Sequence, residues 1–132
     1  MEKVARTIQA GEEIPSLTKT AYMPIDPQGR NLIHTDDYAK QFGMRGALIG
    51  GSTLLSYVLE MLYNHFGQNW LYHGKINASF IGGGAINGDV LTAHGLVTST
   101  EQEEAGRRLN LDVWMENQTG ANIVVGRASC IQ

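Results

Sequence analysis

The 132-residue sequence predicts an α+β fold, in which a strongly curved antiparallel sheet wraps around one long central helix. From Ser52 to Phe66 the apolar residues recur at spacings of three and four, which is typical of a buried helix. Glu60 is the only formally charged side chain in this stretch, so we expect most of the helix circumference to be covered. The later segments alternate between apolar and polar residues and are separated by turns, which predicts strands. Wrapping these strands around the helix is the simplest way to bury both.

The chain before the helix contains one predicted strand and two predicted turns. Residues 11–15 indicate a turn, because Pro15 disfavours the helical conformation at the residue before it. Residues 17–22 are consistent with a strand, and residues 24–30, with two prolines and a glycine, indicate a loop. Thr35 and the two aspartates that follow it predict the start of a short helix over residues 35–40.

The long helix is predicted to start at Ser52, whose hydroxyl can cap the first turn, and to end at Gly67. The chain beyond it is predicted to form strands at residues 70–80, 90–96, 108–116 and 123–131. Turns or bends are predicted at residues 82–84, 87–89, 101–106 and 117–120. In the strand at 108–116, every second residue from Leu109 to Met115 is apolar, so one face of the sheet should be buried.

Composition excludes several classes of function. A chain of this length is expected to form a single domain over residues 1–132. The net charge of -3 and the scattered basic residues argue against a nucleic-acid surface. Cys130 is the only cysteine, which excludes an internal disulfide and fits a reducing compartment. The histidines have no metal-ligand spacing. With no apolar leader and no stretch long enough to span a bilayer, we expect a soluble cytoplasmic protein with no membrane partner.

The glycine-rich start of the helix is the first candidate site. Gly50 and Gly51 would let a ligand approach the backbone closely, although a tight turn alone can also require glycine. The positive end of a helix favours a negatively polarised oxygen. A backbone N–H of Gly50 or Gly51, with Ser52 beside it, could therefore polarise a bound carbonyl group.

Five stretches, in this order and spacing, resemble the MaoC-like branch of the hotdog fold, and the resemblance covers nearly the whole chain. Residues 11–17 resemble the opening "G-x-x-(I/L)-P-x-L", and residues 31–36 resemble "N-P-I-H-x-D". Gly51 matches the glycine at the start of the family's helix. Residues 80–91 resemble "F-x-x-P-x-x-x-G-D-x-L", and residues 117–128 resemble the closing "N-Q-x-G…G-x-A".

The resemblance implies a hydro-lyase, either an enoyl-thioester hydratase or a 3-hydroxyacyl dehydratase. Its substrate would be a fatty or polyketide-like acyl group on coenzyme A or on a carrier protein, with no dissociable cofactor. His34 occupies the position of the motif histidine and would act as general acid and base. Asn31 could orient water or could cap its own loop. A homodimer or larger homo-oligomer is expected, because pairing of sheet edges satisfies exposed backbone groups.

The chain departs from the family at one catalytic position. The motif aspartate, five residues before the histidine, is replaced by Gly29, and Asp26 is near but out of register. Asp26 could be a displaced partner of His34 or a turn residue before Pro27. Three alternatives therefore stay open. They are a hotdog thioesterase, a non-catalytic protein that binds an acyl ligand or a protein partner, and a different reaction on a pathway intermediate. Some hotdog thioesterases use a helix carboxylate, but Glu60 lies well beyond Gly51, and we expect it to face a dimer partner or solvent.

Overall fold

A five-stranded antiparallel sheet and one long helix make up the part of the chain that the computed structural model describes, residues 7–24 and 47–132. The strands are β1 (Glu13–Thr20), β2 (Lys75–Phe80), β3 (Val90–Glu103), β4 (Gly106–Glu116) and β5 (Asn122–Ile131), and the helices are α1 (Gly51–Phe66) and α2 (Gln68–His73). The strand order in the sheet is β1-β3-β4-β5-β2. The predicted α+β fold is confirmed.

One face of α1 packs against the sheet and forms the centre of the core. The buried positions of the helix are Leu54, Val58, Met61, Leu62 and Phe66. They meet the apolar side chains that β3, β4 and β5 direct inward, in one continuous cluster. The opposite face of the helix is exposed at Ser52, Ser56, Tyr63 and Asn64. Most of the remaining helix positions are half-buried, so the expectation that most of the circumference is covered is confirmed.

The predicted alternation along β4 is confirmed. Every second residue from Leu109 to Met115 is buried, while the residues between them face away from α1. On the same inner face, a Cβ added at Gly126 of β5 would lie 2.7 Å from the Cα of Ala78 in β2. The glycine in the closing stretch of the family pattern thus lets the edge strand β2 approach β5 closely.

The two edges of the sheet differ. The edge strand β1 contains Pro15 and has a register shift between Ile14 and Leu17. It also carries Lys19, which pairs with Glu60 of α1 at 3.0 Å. Proline, bulges and charges that face the core are devices that prevent an edge strand from pairing with another chain. The other edge strand, β2, contains no proline and pairs, within the described residues, only with β5.

Residues 70–73 were wrongly predicted as part of a strand. They lie in α2. Gly67, with a positive φ of 61°, ends α1, and α2 starts at the next residue. The alternating aromatic residues here suggested a strand, but Trp70 stacks on Phe66, with ring centroids 6.5 Å apart. Packing of the aromatic ring thus outweighs the strand propensity of the segment.

The turn predicted at residues 11–15 is confirmed only at its start, where Gly11 has a positive φ of 90° and the N–H of Glu12 donates to the carbonyl oxygen of Gln9 at 3.1 Å. The strand β1 already starts at Glu13, and Pro15 lies inside it. An edge strand tolerates proline at an irregular position because no ladder hydrogen bond is lost there. The loop predicted at 24–30 and the short helix predicted at 35–40 fall, but for Pro24, outside the described residues.

Within residues 7–24 and 47–132, no helix combines the length and apolar character needed to cross a bilayer.

Truncation of the helix core tests this packing. We expect Leu62→Ala to lower the free energy of unfolding by about 2–5 kcal/mol, because Leu62 is fully buried and its loss leaves a cavity. The matched control is Leu71→Ala in α2, since Leu71 is 67% exposed and its truncation should cost less than about 0.5 kcal/mol. Equal losses in urea titrations of the two variants would contradict the central position of α1.

Candidate functional site

The helix α1 begins at Gly51 without a side-chain cap. Gly50 is the N-cap residue, with φ -62° and ψ 146°, and as a glycine it has no side chain to cap the first turn. The carbonyl oxygen of Gly50 accepts hydrogen bonds from the N–H groups of Thr53 at 3.0 Å and Leu54 at 3.2 Å. The prediction that Ser52 caps the helix is therefore wrong. Ser52 lies within the first turn and its side chain is exposed.

Two backbone N–H groups of the first turn make no hydrogen bond to the described residues. The N–H of Gly50 donates to the Sδ atom of Met23 at 3.3 Å. The N–H groups of Gly51 and Ser52 have no acceptor among the described residues. No acidic residue lies in this first turn. The two N–H groups and the positive end of the helix dipole therefore favour a negatively charged or polarised oxygen here.

Phe80 forms an apolar wall beside these donors. It is the last residue of β2, and its ring carbons Cε2 and Cζ lie 3.0 Å from the position of a Cβ added at Gly51. Only glycine fits below the ring without displacing it. Phe80 is nevertheless 52% exposed, and Ile81 next to it is 39% exposed. The start of α1 thus places two N–H donors beside exposed apolar surface.

The chain on both sides of residues 25–46 is attached to one short stretch, residues 85–89. On the N-terminal side, the N–H of Ala21 donates to the carbonyl oxygen of Asp89 at 2.7 Å. On the C-terminal side, the N–H of Ile49 donates to the carbonyl oxygen of Ala85 at 2.7 Å, and Leu48 forms a β-bridge with Ile86. Residues 85–89 therefore hold the described chain segments that end at residue 24 and begin at residue 47 close to each other.

A buried carboxylate stabilises the 85–89 stretch. Asp89 is 3% exposed. Its Oδ2 atom accepts a hydrogen bond from the N–H of Ile86 at 3.0 Å, and its Oδ1 atom accepts one from the Nε2 of Gln118 at 3.0 Å. A buried carboxylate with such partners is held firmly in place, because leaving its oxygens unpaired would be costly. The interpretation of Asp89 as a turn residue is confirmed, with a structural role added.

The three predicted binding residues, Gly50, Gly51 and Ser52, are consecutive in the chain and lie at the start of α1. The predicted catalytic residues His34, Asn31 and Asp26 lie outside the described residues, as does Gly29. Their roles stay predictions.

Sequence reasoning missed Met23 and Asn87, both of which contact the site or its surroundings. Asn87 was recognised only as part of a turn. Its side chain bonds to the backbone of Met23, although the two residues are 64 positions apart in the chain. A separation of this size leaves no local pattern, so only a structure could reveal the contact.

Two other candidates can be set aside. Glu60 lies roughly 13 Å along the helix axis from Gly51, and its carboxylate pairs with Lys19 at 3.0 Å. Cys130 is fully buried, and this burial raises the pKa of its thiol. A protonated, inaccessible thiol is a poor nucleophile, so the interpretation of Cys130 as a structural residue is supported.

The close contact between Gly51 and Phe80 can be tested by a double-mutant cycle. We expect Gly51→Ala to be less favourable for stability when Phe80 is present than in a Phe80→Ala background, because the added methyl meets the ring. A coupling of about 0.5–3 kcal/mol is usual for residues in contact. The measurement is chemical denaturation of the four proteins. Additive effects of the two substitutions would show that the ring does not cover Gly51.

No family model matches the sequence, and no curated protein matches it. Solved structures do match the fold. The (R)-hydratase from A. caviae involved in PHA biosynthesis has 20% sequence identity, covers 96% of this chain and 98% of its own, and superposes with a TM-score of 0.68. The MaoC-like dehydratase from Rhodospirillum rubrum has 13% identity, 93% and 91% coverage, and a TM-score of 0.72.

A third similar structure represents the other enzyme class that the sequence left open. It is a hypothetical Thermus thermophilus protein described as a thioesterase superfamily member, with 15% identity, 96% and 85% coverage and a TM-score of 0.59. The predicted resemblance to the MaoC-like branch is thus matched by solved structures of hydratases and dehydratases. With its five-stranded antiparallel sheet around one long helix, the chain has the hotdog fold.

Proposed function

We propose that the protein is an acyl-thioester hydratase or dehydratase of the MaoC-like kind. The observation that carries the proposal is the start of α1, where the N–H groups of Gly51 and Ser52 have no acceptor among the described residues and lie beside the exposed ring of Phe80. The substrate would be an enoyl or 3-hydroxyacyl thioester of coenzyme A or a carrier protein. A cytoplasmic location fits the single, unpaired cysteine.

The chemistry requires a site for negative charge. When water adds to the β-carbon of an enoyl thioester, electron density moves through the α-carbon onto the thioester oxygen. N–H donors stabilise that developing charge when they lie about 2.7–3.1 Å from the oxygen. In this proposal Gly51 and Ser52 supply those donors. The positive end of α1 adds a favourable field.

Proton transfer is assigned to the segment outside the described residues. His34 would take a proton from water and deliver one to the α-carbon, in steps that suit a near-neutral imidazole. Asn31 would orient the water. Gly29 replaces the aspartate that the resemblance leads us to expect, and we assign the partner role to Asp26, which lies three residues earlier.

Two rival functions give different signals. A thioesterase that used Glu60 as its base is disfavoured, because that carboxylate pairs with Lys19 and lies far from the start of α1. An acyl-binding protein would use the same donors without turnover. Hydration removes the conjugated enoyl absorbance, hydrolysis releases a titratable thiol, and binding alone gives neither signal.

Assembly through the open sheet edge is part of the proposal. The edge strand β2 lacks the proline, the bulge and the inward lysine that β1 carries. Two β2 strands related by a two-fold axis would satisfy each other's exposed backbone groups. Phe80 and Ile81 stand at the end of this strand and are exposed. The pair would therefore place the start of α1 beside the second copy.

Substitutions in the predicted catalytic segment test the proposed reaction. We expect His34→Ala to abolish enoyl-thioester hydration, and Asp26→Asn to lower kcat by about 10²–10⁴, the contribution of one positioned acid or base. Gly29→Asp restores the family spacing and should raise the rate. Hydration is followed by loss of the enoyl absorbance, with Asp112→Asn in β4 as the control that should leave the rate unchanged.

The results of these variants separate the cases. A rate that survives Asp26→Asn but not His34→Ala would mean that the histidine acts without Asp26. If the purified protein hydrates no enoyl thioester and Gly29→Asp changes nothing, the hydratase proposal is wrong and acyl binding becomes the better account.

The oligomeric state can be measured directly. We expect light scattering at micromolar concentration to give a mass at least twice the 14.4 kDa of one chain. The midpoint of thermal unfolding should also rise with protein concentration, since association stabilises the folded state by mass action. A particle of 14.4 kDa would refute assembly through β2.

A further inference from the structure

Asn87 is the only asparagine in the chain that is followed directly by glycine. In such a pair the backbone nitrogen of the glycine can attack the side-chain carbonyl carbon of the asparagine, because glycine has no Cβ to obstruct the approach. Asn87 and Gly88 are both exposed, so water reaches them. They are the central residues of a turn in which the N–H of Asp89 donates to the carbonyl oxygen of Ile86 at 3.1 Å. Sequence and exposure therefore both favour a spontaneous reaction at Asn87.

The reaction is a deamidation, and it needs no reagent besides water. The nitrogen of Gly88 forms a bond to Cγ of Asn87, while the bond from Cγ to Nδ2 breaks. The proton of the attacking nitrogen passes through water to the leaving nitrogen, which departs as ammonia. Water then opens the resulting succinimide ring at either carbonyl carbon and leaves an aspartate or an isoaspartate at position 87. No atom is oxidised or reduced.

The fold restrains both rotations that ring closure requires, which are those about the Cα–Cβ and Cα–C bonds of Asn87. The Oδ1 atom of Asn87 accepts from the N–H of Met23 at 2.6 Å, and its Nδ2 atom donates to the carbonyl oxygen of Met23 at 2.9 Å. These two bonds fix the side chain. The N–H of Gly88 donates to the carbonyl oxygen of Ala21 at 2.9 Å, which fixes the peptide group that carries the attacking nitrogen.

We propose that Asn87 is a deamidation site that the fold keeps closed, and that it reacts only when residues 21–23 detach from the turn at residues 86–89. A further hydrogen bond joins these two segments, because the N–H of Ala21 donates to the carbonyl oxygen of Asp89 at 2.7 Å. Local openings of this kind cost less free energy than unfolding of the whole chain. The inference does not depend on the proposed function.

The product of the reaction does not rebuild the closed arrangement. A carboxylate has no N–H, so the carbonyl oxygen of Met23 loses the donor that Nδ2 of Asn87 supplied. The new negative charge instead faces this oxygen, which itself carries a partial negative charge. An isoaspartate also adds one carbon atom to the main chain within the turn. Deamidation therefore converts a reversible opening into a permanent one.

The first measurement is the rate of deamidation of the full chain, folded and unfolded in guanidinium chloride at one pH and temperature. Peptide mapping by mass spectrometry detects the replacement of the amide by a carboxyl group at Asn87. We expect the folded chain to react at least about tenfold more slowly, since loss of a single hydrogen bond can change an opening equilibrium by that factor. Equal rates in the two states would overturn the inference, as would an unfolded chain that does not react at Asn87.

The second measurement separates local opening from global unfolding. Met23→Pro removes the N–H that donates to Asn87 and should accelerate the reaction of the folded chain by about tenfold. Met23→Leu is the matched control, because it keeps this N–H and a similar side-chain volume, and it should leave the rate unchanged. Val113→Ala lowers global stability at a buried position of β4 and should also leave the rate unchanged.

Two outcomes of this comparison contradict the inference. An unchanged rate in Met23→Pro would show that the contact with Asn87 does not restrain the reaction. If Val113→Ala accelerates deamidation in proportion to its unfolded fraction, the reaction follows global unfolding instead. The second outcome decides the matter even if Met23→Pro does not fold.

The effect of the product is tested by amide hydrogen exchange, followed by NMR. Asn87→Asp reproduces the aspartate product and should accelerate exchange of the Gly88 N–H by about tenfold, since the partner segment is held less firmly. Asn110→Asp is the control, because Asn110 also donates through its side chain, to Ser99 and Glu101 in β3, and its change should leave Gly88 unaffected. Unchanged exchange at Gly88 in Asn87→Asp would show that deamidation does not make the opening permanent.

Discussion

Burial of one face of α1 against the sheet is the interaction on which the rest of the structure depends. Val58 and Leu62 are fully buried, and close packing of such residues leaves one rotation and one axial position for the helix. The axial position places Gly51 under the ring of Phe80. The polar groups at the start of the helix are thus located by apolar contacts deeper in the core. The hydrophobic effect is non-directional, so the orientation of the helix is determined by the complementary shapes of the packed side chains.

The sequence could predict those parts of the fold that depend on local periodicity. The spacing of apolar residues in α1 and the alternation along β4 follow from which face of each element is buried, and the structure confirms both. Residues 70–73 could not be predicted, because their alternating pattern fits a strand and only the stacking of Trp70 on Phe66 decides for a helix. The local pattern of residues 70–73 favours a strand, whereas the tertiary contact favours a helix, and the structure has the helix.

The candidate site could be predicted only in part for the same reason. The glycines at the start of the periodic helix are visible in the chain, and the structure places Gly50, Gly51 and Ser52 there, while their role in binding stays a prediction. The prediction that Ser52 caps α1 was wrong. Serine is only statistically preferred at the N-cap position, and Gly50 occupies that position here. The contact between Asn87 and Met23 joins two turns that are distant in sequence, and it leaves no trace in composition or spacing.

The irregularity at Pro15 has a consequence for how copies of the chain can add to one another. A sheet with two usable edges can accept a neighbour on each side, and repeated addition then grows an open fibre. The bulge and the inward Lys19 close one side of this sheet. Among the described strands, edge-to-edge addition would thereby be confined to β2, and two copies joined there would present only their irregular β1 edges. If copies assemble as proposed, the same proline that interrupts a strand would limit growth to a finite, closed particle.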